Sequence, residues 1–537
     1  MNIQELEIPY KNERSRRYRV FEILPGFISW SILLAPALFS LINAGLTALF
    51  IIAFFLVWFV RAIGLNIRVL QGWSTLQQHQ KYDWLSMIEE VQELSTKSVQ
   101  YPKWHYDNIE RLKKNPAPLK PNDIVHAIII PTHNEGRAIL EPTVQYILNS
   151  TYDISKTIFV LAYEERGGPE VEEQAEQLIK DYKDKFRHAF AIKHPKDLPG
   201  EIKGKGPNAT FAGRALQKYL EKEGIDPNCV MVTTLDADNR PHPNYFAALT
   251  YTVAVSPDPL HVSYQPIPMF TNNIWDAPAP MRVIATGNSF WMVVQALRPH
   301  MLRNFSSHAQ SMQALIDTDF WSVRTIVEDG HQFWRSYFRY DGNYEVYPIF
   351  VPIYQDAVLA ETYRKTIREQ FIQLRRWAWG ASDIAYVAEK GFFSKNKKLS
   401  TFDVTAKFLR LLEGHVSWAT APLILLFAAF IPAYFNPTDY TANQLPLIAS
   451  RIQSIAMVGI VITLFLSFKA LPPKPKRYKA HRSLWMVLQW VMLPVTGICF
   501  NSAAALTSQT RLIFKRYLDT FDATKKAVKT SDNKTII

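Results

Sequence analysis

Cysteine is scarce in this sequence, since only Cys229 and Cys499 occur among its 537 residues. They lie far apart in the chain, which excludes a disulfide framework and a thiolate metal site and fits a reducing cytoplasmic setting. Internal repeats, low-complexity tracts and a cleavable signal-peptide pattern are also absent. With 48% hydrophobic and 13% aromatic residues, the composition also argues against a disordered or fibrous protein.

Charged residues are missing from residues 23–60. This run is too long for one membrane span and is interrupted at Asn43-Ala44-Gly45, so it predicts two helices that form a transmembrane hairpin. Basic residues flank it on both sides, and the positive-inside rule therefore places both flanks in the cytoplasm. These flanking residues are Lys11, Arg14, Arg16, Arg17 and Arg19 before the run and Arg61 and Arg68 after it.

Three further apolar runs, 414–438, 452–468 and 483–510, bring the expected number of membrane segments to five. The connector 472–482 is rich in Lys and Arg and should be cytoplasmic, whereas 436–450 lacks both and should lie outside. The last run has basic residues on both flanks. Either it re-enters on one side or the rule fails there, and we favour a cytoplasmic tail.

The chain thus divides into five parts. We expect a basic cytoplasmic N-terminus (1–22), a transmembrane hairpin (23–64), a cytoplasmic domain with interface helices (66–400), C-terminal membrane segments (401–510) and a basic tail (511–537). This layout predicts a multi-pass protein of the plasma (inner) membrane. The formal net charge of +12 fits an anionic membrane surface, and because the cations lie beside the spans, it does not favour a nucleic-acid partner.

The polar domain alternates apolar runs with helical patterns. Runs at 124–130, 157–161 and 230–235 have β-strand composition, and helical patterns cover 169–186 and 209–222. Such alternation predicts an α/β fold in which a parallel-rich sheet lies between helices. Ligands bind beyond the carboxyl ends of such strands. Those ends are polar in this sequence, at 131–135, 163–166 and 236–239.

Asp236 and Asp238 follow the third predicted strand, two residues apart. Their carboxylates could hold a hard divalent cation such as Mg or Mn that also binds a diphosphate. The alternative is an Asx turn that closes the strand, because Asp and Asn are common at such positions. An Asp-x-Asp pair alone does not decide between the two.

Two further groups could carry chemistry. Glu328-Asp329 follows an apolar pair, and an acid on a loop beside a donor site could accept a proton as general base; a solvated surface pair is the alternative. Gln373-Leu374-Arg375-Arg376-Trp377 lies in a helical pattern over 357–380. There a guanidinium could clamp phosphate and an indole could stack on a sugar. An amphipathic helix on anionic lipid would have the same composition.

Taken together and in this order, these motifs resemble the processive branch of family-two glycosyltransferases, which holds the cellulose, chitin and hyaluronan synthases. The resemblance covers about 124–380 and the membrane layout. It implies a GT-A fold, a nucleotide-diphosphate sugar as donor, with a UDP-sugar expected, and inversion at the anomeric carbon. It also implies a divalent metal, Mg or Mn, held by Asp238 and Asp236.

The resemblance assigns roles to individual residues. Asp329 would be the general base, with Glu328 beside it. The donor would be contacted by Thr132, Asn134, Glu135, Glu164, Lys205, Asn208 and Asp236. The acceptor and the diphosphate would be contacted by His308, Gln373, Arg376 and Trp377. A gating loop over the donor would contain Phe521, Thr524 and Lys525, for which a basic tail on lipid is the alternative.

The expected function is transfer of a sugar to a polysaccharide or lipid-linked acceptor at the cytoplasmic membrane face, in a processive manner. One alternative is a non-processive enzyme that adds a single sugar to a lipid carrier. Another is a transporter or receptor with a nucleotide-binding domain, which would need charged residues within its spans. None of the five apolar runs contains Asp, Glu, Lys or Arg, so an enzyme is favoured.

Overall fold

The computed structural model describes residues 3–97, 101–394, 398–520, 528–529 and 535–536. A mixed, mostly parallel sheet lies among helices in the central part of the chain, and long apolar helices precede and follow it. The expected α/β architecture is therefore confirmed.

Eight strands form the main sheet in the order β3-β2-β1-β4-β7-β6-β8-β5. They are β1 Val125–Thr132, β2 Ile158–Glu164, β3 His188–His194, β4 Val230–Thr234, β5 Arg240–Pro241, β6 Val262–Met269, β7 Ala309–Ser311 and β8 Glu345–Tyr354. Strands β3, β2, β1 and β4 are parallel, β7 is antiparallel to β4 and β6, and β8 is parallel to β6 and antiparallel to β5. Two short strands, β9 Val528–Lys529 and β10 Thr535–Ile536, pair separately.

The central strands are covered by helices on both faces. Alternate residues of β1 belong to different apolar clusters: Ile128 and Ile130 pack on one face, and Ala127 and Ile129 on the other. Because neighbouring side chains along a strand point to opposite faces, only two-sided burial keeps such an uninterrupted apolar run out of water. The three strands predicted from the sequence correspond to β1, β2 and β4.

Twenty α-helices are described. Those up to β8 are α1 Arg16–Ile42, α2 Ala44–His79, α3 Trp84–Glu93, α4 Lys103–Lys114, α5 Arg137–Leu148, α6 Pro169–Tyr182, α7 Lys205–Glu223, α8 Tyr245–Ala254, α9 Ala279–Ala296, α10 Met312–Asp317 and α11 Glu328–Arg339. The others are α12 Tyr363–Ala378, α13 Asp383–Phe392, α14 Thr401–Phe427, α15 Ile431–Phe435, α16 Tyr440–Ala456, α17 Val458–Ala470, α18 His481–Leu488, α19 Leu493–Thr496 and α20 Ala503–Ile513.

Five helical segments of the described chain are long and apolar enough to cross a membrane, as the sequence predicted. They are Arg16–Ile42, Ala44–His79, Thr401–Phe435, Tyr440–Ala470 and His481–Ile513. Within 436–450, α16 begins at Tyr440 and only 436–439 connect the helices; the expected location of this stretch outside stays a prediction. The fourth segment therefore contains the cation Arg451, which is not part of the apolar run 452–468.

The last apolar segment has both of its ends against the polar domain. Near its start, the Trp275 indole N–H donates to the carbonyl of Pro472 at 2.9 Å, and Arg477 forms an ion pair with Asp276 at 2.7 Å. Near its end, Ser508 Oγ donates to the carbonyl of Arg375 at 2.6 Å. A helix that crosses a bilayer separates its ends by the membrane thickness, so these contacts favour a re-entrant or interface-lying segment.

The N-terminal segment and the end of the chain also meet. Glu22, which is 1% exposed, forms ion pairs with Arg14 and Arg19 and accepts a hydrogen bond from Tyr517 Oη at 3.1 Å. Thr520 then forms a parallel β-bridge with Lys203. The residues after the last apolar segment therefore lie on the same side as the sheet, next to the beginning of α7.

Candidate active site

The first turn of the site follows β1 and is organised by Glu135. Its Oε2 accepts hydrogen bonds from Thr132 Oγ1 at 2.9 Å and from the backbone amides of His133 at 2.8 Å and Asn134 at 3.2 Å. A carboxylate that collects three donors fixes the local backbone. Among the residues predicted to contact the sugar donor, Glu135 thus stabilises the turn that contains Thr132 and Asn134.

Asn208 connects this turn to the second strand. Its amide Nδ2 donates to the carbonyl of Thr132 at 3.1 Å and to that of Ala162, in β2, at 3.0 Å. Because Asn208 is 1% exposed, these bonds fix the first turn of α7 against the ends of two strands. Donor contact by Asn208 stays a prediction.

Lys205 is the first residue of α7 and points to the end of β4. Its Nζ lies 2.5 Å from Asp236 Oδ1 and donates to the carbonyl of Ser306 at 3.3 Å. Burial alone would lower the pKa of Lys205, but the carboxylates of Asp236 and Glu328 outweigh it and the pKa is raised. The ammonium is therefore charged, and it lies at the N-terminus of a helix, where backbone amides also favour an anion.

Glu328 and Asp329 begin helix α11 and do not lie on a loop, which corrects the expectation from sequence. Asp329 Oδ1 accepts from the Gly330 amide at 2.7 Å. Burial raises the pKa of both carboxyl groups, and the cations Lys205 and Arg376 act in the opposite direction. A carboxyl pair with a raised pKa beside fixed cations is the electrostatic pattern of a functional site.

The Asp236–Asn239 loop is both a turn and a carboxylate site. The Asn239 amide donates to the carbonyl of Asp236 at 3.0 Å, and Asn239 Oδ1 accepts from the Asp236 amide at 2.8 Å and from Ser307 Oγ at 2.5 Å, so the chain turns here. The metal role of the Asp pair stays a prediction. Asp238 is 8% exposed, and its Oδ2 accepts from the backbone amide of Asp356 at 3.2 Å. The loop thus brings the Asp238 carboxylate next to a second acid, at the end of β8.

The carboxylates at the end of β4 fit a divalent metal for which the substrate phosphates supply the remaining ligands. In the described part of the chain, no three His, Cys, Asp or Glu side chains converge as a ligand cluster. Mg and Mn retain several waters and are usually held by one or two carboxylates together with substrate phosphates. Asp238 and its neighbour Asp356 are of that type, whereas the contact with Lys205 already neutralises Asp236.

Helix α12 carries the predicted acceptor and diphosphate residues. It begins at Tyr363, so the helical pattern expected from residue 357 is shorter by six positions. Arg376 lies close enough to Glu328 and Asp329 to lower the pKa of both. Gln373 accepts from Gln370 Nε2 at 3.1 Å.

Trp377, the last residue of that motif, packs on Phe270 with the ring centroids 6.1 Å apart. The structure thus brings Arg376 to the acids, and it places Trp377 in an apolar contact next to them. A sugar-stacking role for the indole stays a prediction.

His308 and Glu164 are committed to contacts within the chain. His308 is 1% exposed; its Nδ1 donates to the carbonyl of Phe305 at 2.8 Å, and its Nε2 accepts from Trp321 at 3.3 Å. Burial lowers the pKa of His308 to about 4. Neither ring nitrogen is left for an acceptor here. Glu164, at the end of β2, pairs with Arg166 and lies 3.5 Å from His133 Nδ1.

The sequence reasoning missed Asp356 and the two serines that precede His308. Asp356 follows β8, but the strand-end rule does not reach it from the sequence, because Pro348 and Pro352 interrupt the apolar run at 345–354. Ser306 and Ser307 lack such a signal, because their contacts with Lys205 and Asn239 come from distant parts of the chain. The predicted gating residues Phe521, Thr524 and Lys525 lie outside the described residues.

No family model and no curated protein matches the sequence. Among solved structures, the chain is similar to the mannosyltransferase PcManGT from Pyrobaculum calidifontis in complex with GDP-Man and Mn2+, at 12% identity, 84% coverage of this chain, 100% of that one and a TM-score of 0.38. It is also similar to S. aureus TarS 1-349 in complex with UDP-GlcNAc, at 12% identity, 76% and 95% coverage and a TM-score of 0.35. At this level of likeness the function has to be argued from the side chains.

Proposed function

We propose that the chain is a membrane-embedded, metal-dependent glycosyltransferase that moves a sugar, with inversion, from a nucleotide-diphosphate donor to a polysaccharide or lipid-linked acceptor. The observation that carries the proposal is the convergence of Lys205, Asp236, Asp329 and Arg376 around the carboxyl ends of the strands. Fixed cations beside a carboxyl pair suit a reaction in which a diphosphate leaves while a hydroxyl loses its proton.

Lys205 and Arg376 stabilise the leaving group. When the bond from the anomeric carbon to the diphosphate breaks, negative charge grows on the phosphate oxygens and positive charge on the sugar. Preorganised cations and helix N-terminal amides lower the energy of that state without reorganising. A divalent metal on Asp238, with Asp356 beside it, would add Lewis-acid stabilisation of the same charge.

Asp329 accepts the proton of the acceptor hydroxyl. It would lie on the face of the sugar opposite the diphosphate, where an in-line displacement inverts the anomeric centre. The backbone amide of Gly330 orients its Oδ1. Glu328, which burial and Asp329 keep at a raised pKa, can stay protonated beside it, so that a single negative charge is shared by the pair.

The experiment that tests this assignment replaces Asp329 by Asn in the full-length, detergent-purified protein. We expect sugar transfer to fall by at least 10²-fold, since general-base catalysis contributes about that much or more, while donor nucleotide binding survives. Asp319→Asn is the matched control, because Asp319 is an exposed acid whose side chain pairs only with Arg214 among the described residues. Unchanged turnover in Asp329→Asn would refute the base assignment.

The length of the product decides between the two modes of transfer. The expectation from sequence is processive addition, but only four apolar segments can cross if the last one has both ends on one side. With fewer crossing helices, there are fewer helices to surround a growing polymer. This observation favours the transfer of one or a few sugars to a lipid carrier. A long ladder on a sizing gel would support processive synthesis, and one added sugar would support the alternative.

We further propose that the catalytic domain faces the cytoplasm of a plasma (inner) membrane protein. The support is the positive-inside pattern together with the contact of the basic connector with this domain through Arg477 and Asp276, and that of Thr520 with Lys203. A transporter or receptor role would be favoured instead if no nucleotide sugar were turned over and a solute moved across proteoliposomes.

A further inference from the structure

A cluster of cations lies where the membrane helices meet the back of the candidate site. It comes from three separate parts of the chain, namely α2, the connection between α9 and β7, and the first turns of α14. Its members are Arg61, Arg68, Arg298, His300, Arg303, Lys407 and Arg410. We call this set the interface cluster.

The interface cluster has more positive charge than its carboxylates neutralise. Arg61 pairs with Glu413 at 2.5 Å, and Lys407 pairs with Asp403. Within the described chain, no carboxylate lies within salt-bridge distance of Arg68, Arg298 or Arg410. Arg303 donates to the carbonyl of Leu302 at 3.0 Å, lies over the rings of Phe333 and Trp334 and is attracted by Asp403. An excess of fixed cations in one place attracts anions to that place.

The pKa values of two arginines between α9 and β7 are lowered by the other cations of the interface cluster. Burial and then the neighbouring guanidinium groups of Arg68 and Arg61 lower the pKa of Arg298. For Arg303, burial followed by Arg410 lowers the pKa to about 10. These groups repel one another across the three chain segments, so a bound anion would stabilise all of them together.

The interface cluster is at the membrane boundary. Arg61 follows directly after the uncharged run that ends at Val60, and Lys407 and Arg410 precede the apolar run that begins at Gly414. Its anion is therefore one that the bilayer presents, such as a phosphate group at the headgroup level.

The interface cluster is also next to the proposed chemistry. The carbonyl oxygen of Asn304, one residue after Arg303, lies 3.9 Å from the point where a Cβ on Gly330 would stand. Gly330 follows the proposed base Asp329. Two residues beyond Asn304, the carbonyl of Ser306 accepts from Lys205. Three residues span at most about 11 Å, so the backbone of Arg303, and with it this edge of the interface cluster, is within one or two sugar lengths of Lys205 and Gly330.

We propose that the interface cluster binds the phosphate groups of a lipid-linked acceptor and so sets how far the acceptor sugar or hydroxyl reaches towards Asp329. This inference rests on the proposed function and specifies its acceptor class. Arginine suits the task because its fork of N–H donors matches phosphate oxygens and it is weakly hydrated. The same positive charge would also attract the anionic lipids of the membrane, but this attraction alone would not distinguish one anion from another.

Full-length protein in detergent tests the proposal with farnesyl diphosphate as the lipid diphosphate probe and inorganic diphosphate as the headgroup alone. We expect the wild type to bind the lipid probe and the double variant Arg298→Gln/Arg410→Gln to bind it at least tenfold more weakly, which is about 1.4 kcal/mol. The matched control is Lys474→Gln/Lys476→Gln, which removes two exposed cations from the connector on the same side of the membrane and should not change binding.

Unchanged binding in the double variant would overturn the proposal, as would displacement of the probe by an equal concentration of phosphatidylglycerol. Nucleotide-sugar hydrolysis, measured in the same samples, separates the two hypotheses and reports folding. Normal donor turnover with unaltered lipid binding would remove only this inference. No donor turnover in the wild type, with charge-dependent lipid binding, would remove the proposed function and leave the phosphate site.

Discussion

Glu328 and Asp329 are neighbouring acids, of which one can stay protonated while the other is ionised. This difference explains how Asp329 could act as the proposed base in a partly buried site. Burial opposes the ionised form of both Glu328 and Asp329, and their proximity opposes double ionisation. Lys205 and Arg376 favour one negative charge. The pair therefore titrates as a unit, and a single carboxylate is available to accept a proton at neutral pH.

This coupling predicts the pH dependence of catalysis. The folded-state pKa of Asp329 is raised, so the ionised base is lost as the pH falls through a value above the ordinary carboxyl range of about 3.9. Lys205 favours the ionised form. In Lys205→Met, the acidic limb of the pH profile of kcat should therefore move to higher pH.

Arg214→Met is the control for that measurement, because Arg214 is a half-exposed cation whose carboxylate partner, Asp319, lies outside the site. Its pH profile should match that of the wild type. An acidic limb that stays in the ordinary carboxyl range in both wild type and Lys205→Met would show that Asp329 does not limit the rate.

The first turn of α7 fits closely against the start of α11. A Cβ on Gly206 would lie 2.5 Å from the carbonyl oxygen of Ser322 and 3.0 Å from Cβ of Glu328. Helix α7 can therefore approach the start of α11 only because this position has no side chain. The approach brings Lys205 to the carboxyl pair.

Gly206→Ala should consequently separate the two helix starts and lower transfer activity by at least tenfold, because small displacements of catalytic groups are costly. Gly287→Ala, in the middle of α9, is the matched control: nothing lies within 4 Å of its added Cβ. That change should leave activity intact and raise helix stability by up to about 1 kcal/mol. Transfer assays and thermal unfolding distinguish the two, and equal activities would contradict the close approach.

The elements that the sequence predicted well are those with a strong local signal. Strands β1, β2 and β4 and the acids at their ends follow from apolar runs bounded by polar residues, and the five apolar segments follow from their length. Arg376 comes near Asp329 because α12 packs near the start of α11. No local sequence pattern predicts this packing. The sequence does not indicate Asp356, because Pro348 and Pro352 argue against a strand at 345–354, although half of the residues of β8 are buried.

At the scale of the whole molecule, the N-terminal segment, the sheet and the residues after the last apolar segment form one body. Arg19 donates to the carbonyls of Leu512 and Ile513, both at 3.1 Å, and Arg17 pairs with Glu389 at 3.0 Å. These contacts join the start of α1 to α13 and to the end of α20. The short connection at 436–439 is then expected on the other face of the membrane.

Cysteine labelling tests this topology. In a background with Cys229 and Cys499 replaced by serine, Thr438→Cys should react with a membrane-impermeant maleimide added to intact cells. Both side chains are exposed, and since we expect them on opposite faces, Arg516→Cys should react only after the membrane is opened. Labelling of Arg516→Cys in intact cells would mean that the last segment crosses the bilayer.

The central claim is that nucleotide sugars are turned over at the carboxyl ends of the strands. The most direct test is nucleotide release from a panel of nucleotide sugars by the purified full-length protein with Mg or Mn, with products sized on a gel. We expect nucleotide release from one donor, which is lost when a chelator removes the metal and is reduced at least tenfold in Asp238→Ala. No release and no metal-dependent nucleotide binding across the panel would contradict it.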